Sequence, residues 1–452
     1  MTSEAPSECF VYITLPGATE PVTAGRFALS AGRRGTPEGL FVYGRSYLAR
    51  PDAVAFDPVE LKLSSRTYAT AALNGVFGVL RDASPDYWGR RVIQHHLGKA
   101  QPGEMEYLLH SPDDRAGALG FGLNQVPPAP KRQFNKTLEL VKLQSIADSV
   151  EADGNEPRAD RRHAADDRGA DHRDQVEKLM MIGTSMGGAR PKAVVEDDDG
   201  LWIAKFNRPE DLWNSARVEH AMLLLGRACG LTTAQSRTVE VAGRDVLLVK
   251  RFDREKTQGG YRRARMISAL TLLRTEDTFR SRDRWSYVVL AEELRRVSAA
   301  PQADAAELFR RMAFNALISN TDDHPRNHAL IAPGKDWRLS PAYDLTPTAP
   351  VSIELRDLAM ECGDAGRFAN AGNLLSQSAR FLLAPAEASA MLEAMEAQIA
   401  ATWYATARAC GVSERDCDHI APAFAYPGFR RVVDPKESRD AQPGRHGGDE
   451  RA

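Results

Sequence analysis

The sequence predicts an α+β fold in which a small strand-rich N-terminal domain precedes a larger unit of two lobes. Three observations predict it. At 452 residues the chain exceeds what one hydrophobic core usually supports. Short apolar runs punctuated by glycine and proline fill residues 10–127 and return within 176–255, as strands and turns require. Beyond residue 256 the apolar spacing becomes mainly helical.

Composition narrows the classes of function. Hydrophobic content of 43% and charged content of 27% are those of an ordinary globular protein, and a formal net charge of −2 supplies no global field for holding a polyanion. Direct nucleic-acid binding therefore has no support. Cys9, Cys229, Cys362, Cys410 and Cys417 form no C-x-x-C pair, which suits reduced thiols and a cytoplasmic location. The opening "MTSEAPSECF" lacks the basic and apolar regions of a secretion signal. No run approaches the roughly 18 to 20 apolar residues of a membrane span, so a soluble protein is expected.

Residues 1–127 read as the first α+β domain, opening with "FVYITL" and "GLFVYG". Its "SPDYWGRRVIQHHLG" predicts a helix that buries Trp88, with the arginine pair on a solvated face. Residues 128–175 pair a helix, "LELVKLQSIADSV", with a charged stretch too poor in large apolar residues to form a core, read as a flexible linker. Residues 176–255 hold a glycine-rich turn, a hairpin around "DDDG", a helix ("SARVEHAMLLLGRACGL") stopped near Gly230, and the strand "RDVLLVKRFDR". Residues 256–430 are the helical lobe; 431–452 are polar and non-periodic, read as a disordered tail.

"SNTDDHPRNH" at 319–328 concentrates the chemistry. His324 and His328 have the i, i+4 spacing of two metal ligands on a helix, but Pro325 pushes His324 away from helical dihedrals, which argues against a zinc site. A hydrated turn is the bland alternative. Asp322 and Asn327 reproduce the Asp-x-x-x-x-Asn spacing of a kinase catalytic loop, where a carboxylate takes a hydroxyl proton and an amide oxygen reaches magnesium. A second metal carboxylate, Asp344, follows a predicted hairpin around "PGKD". Lys205 lies on the strand "WIAKF", Glu219 on the next helix as an ion-pair partner, and "GGARPK" upstream offers backbone N–H groups and Lys192 as a phosphate cradle. Singly each has a bland reading; in chain order they point to a bilobal protein-kinase-like fold.

These residues resemble the HipA family of serine/threonine protein kinases, the toxins of type II toxin–antitoxin modules. The resemblance rests on "GTSMGGARPKA", "WIAKF", "VEHAMLLLGRACGL", "VKRFDR", "NTDDHPRNHALI" and "LSPAYDLTPT", with "PDYWGRR" in the first domain. It implies that Asp322 is the proton acceptor, that Asn327 and Asp344 hold Mg²⁺, and that Gly187, Gly188, Ala189, Arg190, Pro191 and Lys192 bind the phosphates of ATP. Lys205 would reach the nucleotide, Lys250, Arg251 and Phe252 would lie against adenine, and His324 and Tyr343 would line the pocket. Ser185 matches the autophosphorylated serine of such kinases. The implied partners are a small helix-turn-helix antitoxin, HipB-like, and a protein substrate, which in some members is an aminoacyl-tRNA synthetase. Nucleic acid would be reached through the antitoxin, and no membrane is involved.

Two departures stand out. Lys250 occupies a position where some members carry an acid, and Asp323 one where glycine is frequent, adding a charge that would either repel or orient a metal. A small-molecule kinase, or a silent module that docks on the antitoxin without turnover, are the rival readings.

Overall fold

The computed structural model describes residues 6–32, 35–130, 134–155, 190–349, 351–352, 355–424 and 426–430. Ser185, Gly187, Gly188 and Ala189, the linker at 156–175 and the tail at 431–452 lie outside the described residues. Strands β1 (Glu8–Thr14), β2 (Pro21–Ala31), β3 (Pro37–Tyr43), β4 (Tyr68–Thr70) and β5 (Leu119–Gly122) form an antiparallel sheet in the order β4-β3-β2-β1-β5. Alternation along β1 sends Cys9, Val11 and Ile13 into one core with Phe27 and Phe41.

The helix Tyr87–Leu97 starts where Asp86 caps it, accepting from the Gly89 amide at 2.7 Å. Trp88, Val92 and Ile93 are buried, while Tyr87 is exposed. The expectation of a solvated arginine pair is corrected at Arg90. Its guanidinium forks onto Glu104 at 3.0 and 2.6 Å and lies over the Tyr107 ring, both brought by the helix Glu104–His110.

A second sheet joins β6 (Asn135–Lys136), β7 (Lys192–Asp197), β8 (Gly200–Phe206), β9 (Ser236–Val241) and β10 (Arg244–Lys250) in the order β6-β7-β8-β10-β9. The pleat sorts its side chains. Ala193, Val195, Trp202, Ala204, Val246 and Leu248 pack with Trp88, Val92 and the helix Leu140–Asn155. Ile203, Lys205, Leu247 and Val249 therefore point to the opposite face, where Ala216 of the helix Ser215–Ala228 packs on Leu247 and Val249. Trp88, early in sequence, thus sits beneath the second sheet.

Strands β11 (Arg254–Thr257) and β12 (Gly260–Arg263) form a hairpin, and β13 (Arg265–Ser268), β14 (Ala329–Ala332) and β15 (Arg338–Leu339) a small antiparallel sheet. The β14–β15 pair is the hairpin expected around "PGKD". The helical lobe is built on Tyr287–Val297, Pro301–Leu317 and Pro385–Ala409, with Leu308, Phe309, Met312 and Phe314 in its core.

Among the contacts that fix the N-terminal domain against the rest, two stand out. A Cβ at Gly78 would lie 2.7 Å from the Thr271 side chain, so glycine is what allows the helix Gly78–Asp82 to approach the helix Ala269–Leu273. The second contact is a buried charge hub. Asp253 accepts from Arg251 at 3.0 and 2.8 Å, from Arg254 at 2.7 Å and from the Gly117 amide at 2.9 Å. Both guanidinia continue to the Arg115 carbonyl, at 2.8 and 2.6 Å. Burial alone would raise the Asp253 pKa, but the two arginines outweigh it and hold the carboxyl far below its ordinary range.

Candidate active site

Because β8 alternates, Lys205 leaves the sheet on the same face as Ile203 and meets two carboxylates from elsewhere in the chain. Its Nζ donates to Glu219 Oε1 at 2.6 Å and to Asp344 Oδ1. Burial alone would lower the pKa of this ammonium, but Asp344 and Glu219 outweigh it, so it stays protonated above its ordinary value. Burial likewise opposes ionisation of Asp344, yet Lys205 holds that carboxyl below the usual range; Glu219 is left raised, chiefly by burial. Asp344 itself has φ +56, a left-handed conformation rare outside glycine that costs on the order of 1–3 kcal/mol.

The loop after the helix Pro301–Leu317 is stitched to the Asp344 loop from both ends. Asn320 Nδ2 reaches the Asp344 carbonyl at 3.3 Å, and the Tyr343 hydroxyl donates to the Arg326 carbonyl at 2.8 Å. Pro325 opens a single 3₁₀ turn, Pro325–Asn327, and His324 before it is extended, with ψ 166. Asp322 is exposed at the surface of this loop. Partial desolvation raises its pKa, His324 opposes the rise, and the neighbouring charges of Asp323, Asp277 and Asp344 add to it.

Asp323 faces the other way. Only 1% exposed, it accepts from His328 Nε2 at 2.7 Å and from the Tyr287 hydroxyl. The extra charge noted in the sequence is engaged by these two contacts, which anchor the loop from below.

A cleft of about 710 Å³, counted to its mouth, opens between the second sheet and these loops. Lys205, Lys250, Arg251, Phe252, Tyr343 and Asp344 bound it, joined by Asp82 and Arg326. Phe252 and Tyr343 face each other with ring centroids 5.7 Å apart. Lys250 Nζ lies 5.8 Å from the centre of the Trp202 ring, and the amides of Lys250 and Arg251 donate within the sheet, to Gln235 and Leu201.

Three of the expected nucleotide-binding residues have their side chains engaged within the protein. Lys192 is 3% exposed and its ammonium donates to Asp86 at 2.7 Å, which closes the N-terminal domain onto β7 instead of leaving a free phosphate ligand. The Arg251 guanidinium is drawn into the Asp253 hub, so its side chain is structural. His324 is not among the residues that bound the cleft; its ring packs beside Trp285, 6.3 Å between centroids. Arg190 is also engaged, forking onto Asp211 at 2.7 and 2.8 Å, and the Pro191 carbonyl accepts from the Phe206 amide. Asp82 and Arg326 went unnoticed in the sequence. Asp82 accepts from Ser268 and Thr271, so only the fold brings it to the cleft.

Asn327 and Asp344 would hold a magnesium ion. They offer an amide and a carboxylate oxygen from two loops tied together, hard donors that suit this cation with nucleotide phosphates completing its shell. The donor types suit the ion; Asp344 bounds the cleft, while Asn327, like His324, is not among the residues that bound it.

Residues 184–403 match the HipA-like C-terminal domain. This part of the chain is HipA-like. A candidate kinase of Haemophilus influenzae is 25% identical over 201 residues, 39% of this chain and 56% of that protein. The candidate kinases Y4mE and Y4dM of Sinorhizobium fredii are 29% and 30% identical over 165 and 178 residues, each spanning 36% of this chain. The matches cover 38% and 41% of those two proteins, so the chain spans about half or less of the curated relatives it matches. Among solved structures, a chain from the Shewanella oneidensis HipA–HipB–operator DNA complex superposes over 96% of this chain and 100% of its own, with a TM-score of 0.65 and 17% identity. At that identity the likeness shows a shared fold, and it extends the HipA-like architecture to the N-terminal domain. Among the described residues, no helix is long and apolar enough to cross a membrane.

Proposed function

We propose that the chain is an ATP- and Mg²⁺-dependent serine/threonine protein kinase of the HipA toxin type. The observation that carries this reading is the Lys205 ammonium held between Glu219 and Asp344 on the floor of the cleft. An ammonium poised there is placed to exchange part of its carboxylate pairing for nucleotide phosphates, while Glu219 keeps it aimed. Lys250, Phe252 and Tyr343 would flank adenine, and the backbone of the glycine-rich segment before β7 would carry the phosphates. Bound magnesium would neutralise charge on the transferring group.

Asp322 aligns the acceptor hydroxyl and takes its proton as the new oxygen–phosphorus bond forms and the bond to the ADP oxygen breaks. In this reading Ser185 is an autophosphorylation site: a phosphate there adds about −1.5 to −2 charge beside a loop that must receive phosphates, and so switches the enzyme off. The HipB-containing complex of the structural neighbour supports a small DNA-binding antitoxin as partner.

Incubation of the full chain with radiolabelled ATP and cell lysate tests the proposal. The expected result is a labelled protein band, with phosphate on Ser185 by mass spectrometry. A labelled small molecule instead would move the assignment to a small-molecule kinase, and no label at all would favour a silent module.

A further inference from the structure

Beside the nucleotide cleft lies a second cavity of about 630 Å³, whose wall is polar. The two share Asp82 and Arg326, so they are neighbouring compartments separated by those two side chains. One wall of the second cavity comes from the N-terminal domain, through Asn74 and Arg81; the opposite wall is the segment Thr271 to Thr278. Leu73 and Asn74 both hold left-handed backbone, φ +50 and +58, at this wall.

The cavity is tied directly to the loop that carries Asp322. Arg326 donates Nε to Asp277 Oδ2 at 3.0 Å, and Asp277 is one of the charges felt by Asp322. Arg81 is paired with Glu104 at 2.9 Å. The lining sets Asp82, Glu276 and Asp277 against Arg81 and Arg326, and Thr271, Thr275, Thr278 and Asn74 offer the donors and acceptors that a polypeptide backbone and hydroxyl side chains can use.

Immediately beyond Thr278, the last residue of that wall, the character of the chain changes. Phe279 is 83% exposed, with the Arg282 guanidinium 5.5 Å from its ring centre. Arg280, next in the chain, and Arg284 are exposed, and among the described residues neither has an ion-pair partner. The opposing acids are Glu276, also exposed, and Asp283, which lies 3.9 Å from Arg367. A large bare aromatic beside one guanidinium and followed by two exposed arginines that form no ion pair among the described residues is suited to an apolar side chain with acidic neighbours.

We infer that this cavity and its Phe279 rim dock the acceptor polypeptide, an extended segment whose hydroxyl residue reaches Asp322 while an apolar residue with acidic neighbours lies over Phe279, Arg280 and Arg284. The inference rests on the kinase reading and names its substrate class. It also gives the N-terminal domain a part in substrate binding, since that domain supplies one wall.

The test uses the full chain and a degenerate peptide library with one fixed central serine and randomised flanks, labelled from radioactive ATP. The wild type is expected to select acidic and apolar flanks, with selection weakening as salt rises. The triple variant Phe279→Ala, Arg280→Glu, Arg284→Glu alters only surface side chains; it should label the library at least roughly 10-fold less and lose or invert the acidic preference, with the Kd for ATP unchanged. Unaltered labelling and selectivity in that variant, alongside strongly reduced labelling by an Asp322→Asn control, would overturn the docking site and leave the kinase reading standing. A wild type that labels small molecules but no peptide would also overturn it, whereas failure to turn over ATP with any acceptor would sink the kinase reading itself.

Discussion

Asp322→Asn is expected to lower phosphoryl transfer by roughly 10²–10⁴-fold, the usual range for losing a positioned general base, without loss of ATP affinity. The split follows from placement: Asp322 is exposed on the far loop, whereas the cleft proposed for the nucleotide is bounded by Lys205, Phe252, Tyr343 and Asp344. Asparagine keeps the size and hydrogen-bonding reach but cannot accept the hydroxyl proton. Single-turnover labelling together with calorimetry separates the two quantities. The pH profile adds a signature. Desolvation and nearby acids raise the pKa of Asp322, and the base works only when ionised. In the wild type, activity should therefore fall with acidification at a pH above the ordinary aspartate value of about 3.9, and the residual activity of Asp322→Asn should lack that limb. An intact rate in the variant would remove Asp322 from the chemistry.

Asp253→Ala is expected to cost about 3–5 kcal/mol of stability, because it leaves two fully buried guanidinia, Arg251 and Arg254, without their carboxylate. The same loss should loosen the junction between the N-terminal domain and the cleft, since the Arg115 and Gly117 backbone is held by this hub. The sign with pH is set by a depressed folded-state pKa. The contribution is complete above the ordinary aspartate value near 3.9 and is lost only as pH falls through the lower folded value. Denaturant midpoints of wild type and variant at neutral pH measure the effect. A difference under about 1 kcal/mol would mean that the hub is solvated in solution and contributes no more than a surface pair.

How much of this was legible in the sequence depends on how far apart the partners stand. The β7–β8 hairpin, the helix carrying Glu219 and the β14–β15 hairpin before Asp344 follow from local alternation and turn residues, and all three form where the pattern places them. The Lys205–Glu219 contact spans only fourteen positions, within one strand–helix unit. The Asp86 partner of Lys192 was not legible, because it stands more than a hundred positions away; Arg251 meets Asp253 two positions on, but the Asp114 and Arg115 carbonyls that complete its burial are just as distant. Asp323 shows the same limit. Its neighbour Asp322 is exposed and it is buried, a difference set by Tyr287 and His328 and not by anything in the "TDDH" run itself. The role of Asp82 and Arg326 as a partition between two cavities could not be read locally, because it arises only when the N-terminal domain packs on the helical lobe.

The central claim is that the cleft between the second sheet and the Asp322 and Asp344 loops receives Mg²⁺-ATP. A crystal structure of the full chain with magnesium and a non-hydrolysable ATP analogue tests it most directly. The expected result is adenine between the Lys250–Phe252 segment and Tyr343, phosphates against Lys205, and metal density held by Asn327 and Asp344. Nucleotide bound elsewhere, or an unchanged Lys205–Asp344 contact with an empty cleft at saturating analogue, would contradict it.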